Sequence, residues 1–242
     1  LDGSKGHTAS ATAVAWYSID NGLFVSGSKD KTVKLWDPNR VALVANVPAF
    51  DVVAALSPGL ASGQASTVAV GCGDGCVRLV DVLQGSAAQT LSAGSAGHRG
   101  HSGSVLCVDW SKTSDFELIT GDSSGQLLVW DIRRAGVLHA FDLERTLADD
   151  AVETARGGGD EAASGSGRYS QAHRGAVTGL AQTADGRHWV SAGNDNTVRL
   201  WNARSHRNCL VRYPEAFNSA NAARQLALDS SSQVRRWITT ST

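Results

Sequence analysis

The 242-residue chain has almost no net charge, few cysteines and no long apolar run, and each shortage removes a class of protein. Its formal net charge is −1. Nucleic-acid binders normally carry a clear basic excess, because neutralised phosphates supply much of their affinity, so little direct nucleic-acid binding is expected. No apolar run approaches the roughly 18 residues of a membrane helix, and no membrane partner is expected. The opening Leu1-Asp2-Gly3-Ser4-Lys5-Gly6-His7 contains no apolar core of a signal peptide. Leu1 in place of Met leads to the expectation that upstream chain is missing or removed. Four cysteines, Cys72, Cys76, Cys107 and Cys209, suit a reducing cytosolic or nuclear compartment. Cys72 and Cys76 flank a Gly-Asp-Gly turn, but no second pair of ligands stands at zinc spacing, so no metal is expected.

What is plentiful is glycine, 26 residues, beside a charged fraction of only 19%. Both suit many short strands joined by tight turns. Residues 101–141 show the unit best. Val105–Trp110, Glu117–Thr120, Leu127–Trp130 and Val137–Phe141 are short β-rich runs with polar or glycine breaks between them, and the third closes on Trp130-Asp131. Four short antiparallel strands, the third ending in Trp-Asp, are the pattern of a β-propeller blade.

The unit recurs. Ala13–Trp16, Leu23–Ser26, Thr32–Trp36 and Val41–Asn46 make a blade over residues 7–46. Val52–Leu56, Thr67–Gly71, Val77–Val80 and Gln89–Leu91 make a degenerate one over 51–91. Val177–Ala181, Trp189–Ala192, Thr197–Trp201 and Cys209–Tyr213 make one over 173–213. Residues 215–242 begin a further unit, with Arg224–Leu228 and Val234–Thr239 as its first strands. The insertion at Asp142–Gln171 is rich in glycine, serine and acidic residues and is expected to be mobile, apart from a short helix near Leu147–Ala155. The fold class is all-β: a β-propeller of about four blades, incomplete at both ends. Such an open stack exposes strand edges and is expected to be poorly soluble by itself.

Counting back from each third strand exposes a shared set. Six residues before Trp36, Val80 and Trp201 stand Asp30, Asp74 and Asp195. Ten before Trp36, Trp130 and Trp201 stand Ser26, Thr120 and Ser191, and 28 or 29 before stand His7, His101 and His173. A buried indole N–H needs an acceptor; a hydroxyl supplies it and links on to the imidazole and the turn carboxylate. These residues therefore read as a structural hydrogen-bond set. A His-Ser-Asp catalytic triad is the competing reading. A set that recurs from blade to blade serves folding, and no nucleophile-elbow pattern is present, so neither catalytic residues nor enzyme activity are expected. The second blade lacks the set, with Val80 for tryptophan and Asp51 where histidine would stand. In the third, Ser124 replaces the turn aspartate, which weakens the blade unless Asp122 substitutes.

Little chemistry is left over. In Trp130-Asp131-Ile132-Arg133-Arg134 the two arginines leave the strand at the blade rim, where they can make planar, bidentate contacts to a partner. The bland alternative is a solvated rim pair. Arg204 has the same offset from Trp201, but Asn202 replaces the aspartate. Gly71-Cys72-Gly73-Asp74-Gly75 joins two strands rather than opening a helix, so it is no phosphate loop, and no cofactor is expected.

Taken together, these elements resemble the Cockayne syndrome group A family of WD-repeat proteins. The similarity rests on Asp20–Phe24, Asp30–Asp37, Trp130–Ala135, Ala151–Thr154 ahead of Ala172-His173, Asp185–His188, Asp195-Asn196 and Arg199–Asn202. It runs from about Ala13 to Asn218; the enlarged Gly157–Gly167 segment and the second blade depart from it. The resemblance implies an inner portion of a WD-repeat ring that looks seven-bladed. It implies a nuclear, non-enzymatic substrate receptor of a cullin-4 RING ubiquitin ligase, acting in transcription-coupled nucleotide-excision repair. The partners would be the ligase's damaged-DNA-binding adaptor and the repair assembly at stalled RNA polymerase II. Trp130–Arg133 is similar to the Trp-Asp-x-Arg box such receptors turn toward the adaptor. That makes Arg133 the expected contact, with Asp131 holding it and Arg134 beside it. The alternative is another WD-repeat interaction scaffold, in chromatin or RNA processing.

Overall fold

A computed structural model describes residues 6–17, 22–59, 66–92, 100–134, 136–145 and 171–211, together with Tyr213, Asn218 and Leu226. Every regular element among them is a β-strand. The first sheet is β1 (Ala11–Trp16), β2 (Phe24–Ser28), β3 (Thr32–Asp37) and β4 (Ala42–Pro48). The second is β5 (Val53–Pro58), β6 (Thr67–Cys72), β7 (Val77–Asp81) and β8 (Ser86–Leu91). The third is β9 (Val105–Trp110), β10 (Glu117–Asp122), β11 (Leu127–Asp131) and β12 (Gly136–Ala140). The fourth is β13 (Val177–Gln182), β14 (His188–Gly193) and β15 (Val198–Asn202). Within each sheet, every strand pairs antiparallel with the next in sequence. This is the meander of a propeller blade.

One expected strand is not formed among the described residues. Those of Cys209–Tyr213 do not pair as a fourth strand; β15 is followed by a bridge between Trp201 and Asn208 and by the Cys209 N–H donating to the Leu200 carbonyl at 2.9 Å. His206 (φ 57°) and Leu210 (φ 56°) take left-handed backbone, and Asn208 Oδ1 accepts the Leu210 N–H. Left-handed residues on either side of Asn208 break the extended run. The expected helix near Leu147–Ala155 and the strands at Arg224–Leu228 and Val234–Thr239 lie outside the described residues. The insertion's two ends meet, the Leu143 N–H donating to the Gln171 carbonyl at 2.9 Å.

The first strands, β1, β5, β9 and β13, lie side by side at the centre. The hydrophobic cores therefore lie between blades. Val25, Val33 and Leu35 pack with Val53, Val68, Val70 and Val80. Leu79 and Leu91 pack with Val105, Trp110, Leu118 and Trp130. Ile119, Val129 and Phe141 pack with Val177, Trp189 and Trp201. The middle strands are covered on both faces, so β6, β7, β10 and β11 are buried almost throughout, including Arg78, Thr120 and Asp122.

Two periodic devices set this packing. Gly71 of β6 and Gly121 of β10 leave room for the first valine of the next blade: a Cβ at either would stand 2.8 Å from Val105 Cγ1 or Val177 Cγ1. Gly27 stands in the same way against Val53. The turns also keep a left-handed residue at fixed offsets from the third strand. Lys31, Gly75, Gly125 and Asn196 lie before it, and Val41, Gly85 and His206 after it.

Candidate functional site

The shared hydrogen-bond set assembles in three blades. In the first, Trp36 Nε1 donates to Ser26 Oγ at 2.8 Å, His7 Nε2 lies 2.7 Å from that oxygen, and His7 Nδ1 lies 2.9 Å from Asp30 Oδ2. In the fourth, Trp201 Nε1 donates to Ser191 Oγ at 2.8 Å, with His173 Nε2 at 2.7 Å and His173 Nδ1 3.1 Å from Asp195 Oδ1. The indole can only donate, so the hydroxyl's own proton points to Nε2 and the imidazole proton sits on Nδ1, facing the carboxylate. Burial holds His173 neutral, lowering its pKa against the pull of Asp195. Burial also opposes ionisation of Asp195 and Asp30, but the histidine, threonine and backbone donors outweigh it and hold both carboxyls well below the usual range. The Ser26 and Ser191 hydroxyls are buried against their indoles, as a structural hydrogen-bond set requires.

The third blade solves its missing aspartate locally. Trp130 Nε1 donates to Thr120 Oγ1 at 2.7 Å, and His101 Nε2 lies 2.5 Å from the same oxygen. Asp122 stands in for the turn residue: its carboxylate accepts Ser124 Oγ, the Gln126 N–H and the Gly103 N–H. His101 Nδ1 is 3.3 Å from Asp122 Oδ2, off the line of a good hydrogen bond. The second blade is rebuilt differently. Asp74 is held by Arg78, whose Nη1 and Nη2 reach its oxygens at 3.1 and 2.5 Å, so a guanidinium replaces the imidazole. Sequence reading missed Arg78. Its signal was available, an opposite charge four residues past Asp74 across a hairpin turn.

At the opposite rim, each third strand ends on a residue that caps the following turn. Asp37, Asp81 and Asn202 use Oδ1 to accept backbone N–H groups two and three residues on, at 2.9–3.1 Å. Asp131 accepts the Arg133 N–H at 2.9 Å in the same way. Only in this blade, among the described residues, does the carboxylate also hold the side chain at that position. Arg133 Nε donates to Asp131 Oδ1 at 3.0 Å and Nη2 to Oδ2 at 2.7 Å. The Asp131 side chain is 4% exposed and that of Arg133 is 60% exposed. Bonds from Arg133 hold the Asp131 carboxyl below its ordinary range. The guanidinium carbon also sits 4.4 Å over the Phe116 ring. Glu117, paired with Asp131 across β10 and β11, adds a second negative charge nearby. Arg134 Nε is 4.0 Å from Asp131 and projects outward. Gln89 of the neighbouring blade fixes the intervening backbone, its Nε2 donating to the Ile132 carbonyl at 2.8 Å. Phe116, Glu117 and Gln89 were not identified from sequence: Phe116 falls between a polar break and a strand, with no spacing to mark it.

A family model described as "WD domain, G-beta repeat" matches residues 3–37, 93–131 and 166–202. These three segments are WD40 repeats. It is 30% identical over 272 residues to WD repeat-containing protein ATCSA-1 of Arabidopsis thaliana, covering 92% of this chain and 59% of that protein. It is 25% identical over 198 residues to Radiation-sensitive protein 28 of Saccharomyces cerevisiae, covering 81% of this chain and 38% of that protein. It is 27% identical over 222 residues to a Ribosome biogenesis protein WDR12 homolog of Drosophila virilis, covering 86% and 45%. The chain thus spans less than two thirds of the length of each of these three relatives. The second blade, which lost the tryptophan and histidine, is the one the repeat model passes over.

Proposed function

We propose that this WD40-repeat chain belongs to the substrate-recognition subunit of a cullin-4 RING ubiquitin ligase that acts in transcription-coupled nucleotide-excision repair in the nucleus. WD40-repeat proteins are generally non-enzymatic scaffolds, and the recurring histidines and hydroxyls here are consumed by the indoles. The observation that carries the reading is the Asp131–Arg133 pair. An arginine fixed in a bidentate grip by a buried carboxylate, laid over Phe116 and still open to solvent, is preorganised for a partner. In the proposed assembly Arg133 meets the damaged-DNA-binding adaptor, Asp131 sets its angle and Arg134 makes an adjacent contact. The stalled-polymerase repair assembly is the second partner. Similarity to ATCSA-1 and to a radiation-sensitivity protein supports a repair role.

Arg133→Glu is expected to abolish co-purification with the adaptor and, because it unpairs the Asp131 carboxylate, to lower the melting temperature; Arg134→Glu, outside that grip, is expected to weaken capture with the melting temperature nearly unchanged. Full retention of the adaptor would remove Arg133 from this role. A different scaffold, in RNA processing, is the second reading, favoured by the similarity to ribosome biogenesis proteins. Affinity capture with mass spectrometry separates the two: ligase subunits support the first, and ribosome-assembly factors without them support the second.

A further inference from the structure

A cavity of about 600 Å³ runs along the four inner strands, lined by residues other than those of the Asp131–Arg133 rim. Its described lining is small and apolar, including Ala15, Ala55, Leu106 and Ala181, and carries one charged side chain, Asp109. Asp109 lies one residue from the end of β9. The matching places on β1, β5 and β13 hold the small residues Ala15, Ser57 and Ala181, all of them also on the cavity wall. A carboxylate offers about four acceptor sites. Ser57 Oγ lies 3.3 Å from this one, long for a hydroxyl donor, and the Trp110 and Gln182 backbone also donates toward it. The nearest cation, Lys112, turns its ammonium to the Gln182 and Thr183 carbonyls at 2.9 and 3.4 Å. Burial pushes the Asp109 carboxyl up to about 6, with Lys112 the charged group that opposes the shift. A largely apolar pocket of this size with one carboxylate on its wall is built for an apolar stem with a cationic head.

We propose that the cavity receives the lysine or arginine side chain of a partner polypeptide, its methylenes along the alanine-rich wall and its charged head on Asp109. Charge complementarity selects this occupant: an acidic or neutral side chain brings no opposite charge, whereas a cation meets the carboxylate directly, as Lys112, turned to the carbonyls, does not. Protons compete for the same oxygens. Below about pH 6 the carboxyl is increasingly neutral, and affinity falls.

The test uses the whole chain, labelled with ¹⁵N, titrated with N-acetyl-lysine methylamide and with its neutral isostere N-acetyl-norleucine methylamide. The lysine probe is expected to shift the amide signals of Ser57 and Val108 saturably at pH 7.5, and the norleucine probe to leave them unmoved. Asp109→Asn should weaken the lysine probe roughly tenfold to a hundredfold. The wild-type chain at pH 5 should show weakening in the same direction. Equal shifts from the two probes on the wild-type chain, or no saturable shift from lysine, would overturn the proposal even if Asp109→Asn does not fold. Undiminished affinity in a folded Asp109→Asn chain would overturn it as well.

Discussion

Thr120 is a single hydroxyl with two buried clients, the Trp130 indole and the His101 imidazole. Thr120→Val keeps the side-chain shape and strips both bonds. A loss of about 1–3 kcal/mol is expected, because a fully buried N–H is left unpaired. Urea denaturation followed by tryptophan fluorescence checks this, and a midpoint equal to wild type would show that water replaces the hydroxyl. His101, Thr120 and Trp130 were legible beforehand because counting back from each tryptophan returns the same residue types. Arg78 is harder to find because the shared set pairs its turn aspartate with an imidazole, whereas Asp74 takes a guanidinium. Phe116 was missed for a deeper reason. Its role depends on where the Arg133 side chain comes to rest, and no spacing rule encodes that.

The turns carry a constraint that the strand pattern does not reveal. Val41 occupies a left-handed position, φ 49°, that Gly85 fills in the second blade and His206 in the fourth. A β-branched residue is strained there, and it is 62% exposed, so little packing compensates. Val41→Gly is expected to stabilise the chain by about 1 kcal/mol, after the entropy cost of glycine is set against the relief. Gly71→Ala should do the opposite. Its Cβ would meet Val105 Cγ1 at 2.8 Å, and a loss of about 1–3 kcal/mol is expected from forcing the next blade's first strand outward. Thermal melts of the two variants should move in opposite directions; a rise in both would mean that the inter-blade seam yields more easily than its close packing implies. The described strands were legible to within a residue or two, β8 excepted, which starts at Ser86 rather than Gln89, because their apolar runs are short and bounded by turn residues. That the described residues of Cys209–Tyr213 form no fourth strand was not, because the left-handed backbone at His206 and Leu210 is carried by ordinary residues.

Charge is distributed so that acidification attacks every blade at once. His173 and His206 titrate low in the folded chain, His206 at about 4, both because burial disfavours the imidazolium and His206 also because His139 stacks on it at 4.7 Å. A depressed histidine contributes stability that is present above its unfolded value, about 6.5, and is lost as pH falls toward the folded one. Asp30, Asp74, Asp122 and Asp195 are held below the ordinary carboxylate value, so their contribution is present above about pH 4 and disappears below it. Asp109 has the opposite sign: raised to about 6, it favours the folded chain at low pH and that contribution is lost as pH rises through 6. The urea midpoint is therefore expected to fall in two stages between pH 7.5 and 3, the first softened by Asp109. His206→Asn, which keeps a residue tolerant of left-handed backbone, should flatten the first stage. An unaltered profile in that variant would assign the first stage to His173. The packing is uneven in the same global sense. Trp130 and Trp201 are fully buried between blades, whereas Trp16, on the inner strand of the first blade, is 67% exposed.

Residue order by itself determined the all-β class, the blade spacing and the hydrogen-bonded residue types, because each follows from short-range periodicity and from what a buried indole requires. It also marked Trp130–Arg134 as the stretch where one blade differs from the others. The tertiary structure alone decided that Arg133 is gripped on two oxygens over Phe116, that Arg78 repairs the second blade, and that Asp109 faces a cavity. Those outcomes depend on distances between strands of different blades and on side-chain direction. Burial sets their energies, and burial exists only once the blades have packed.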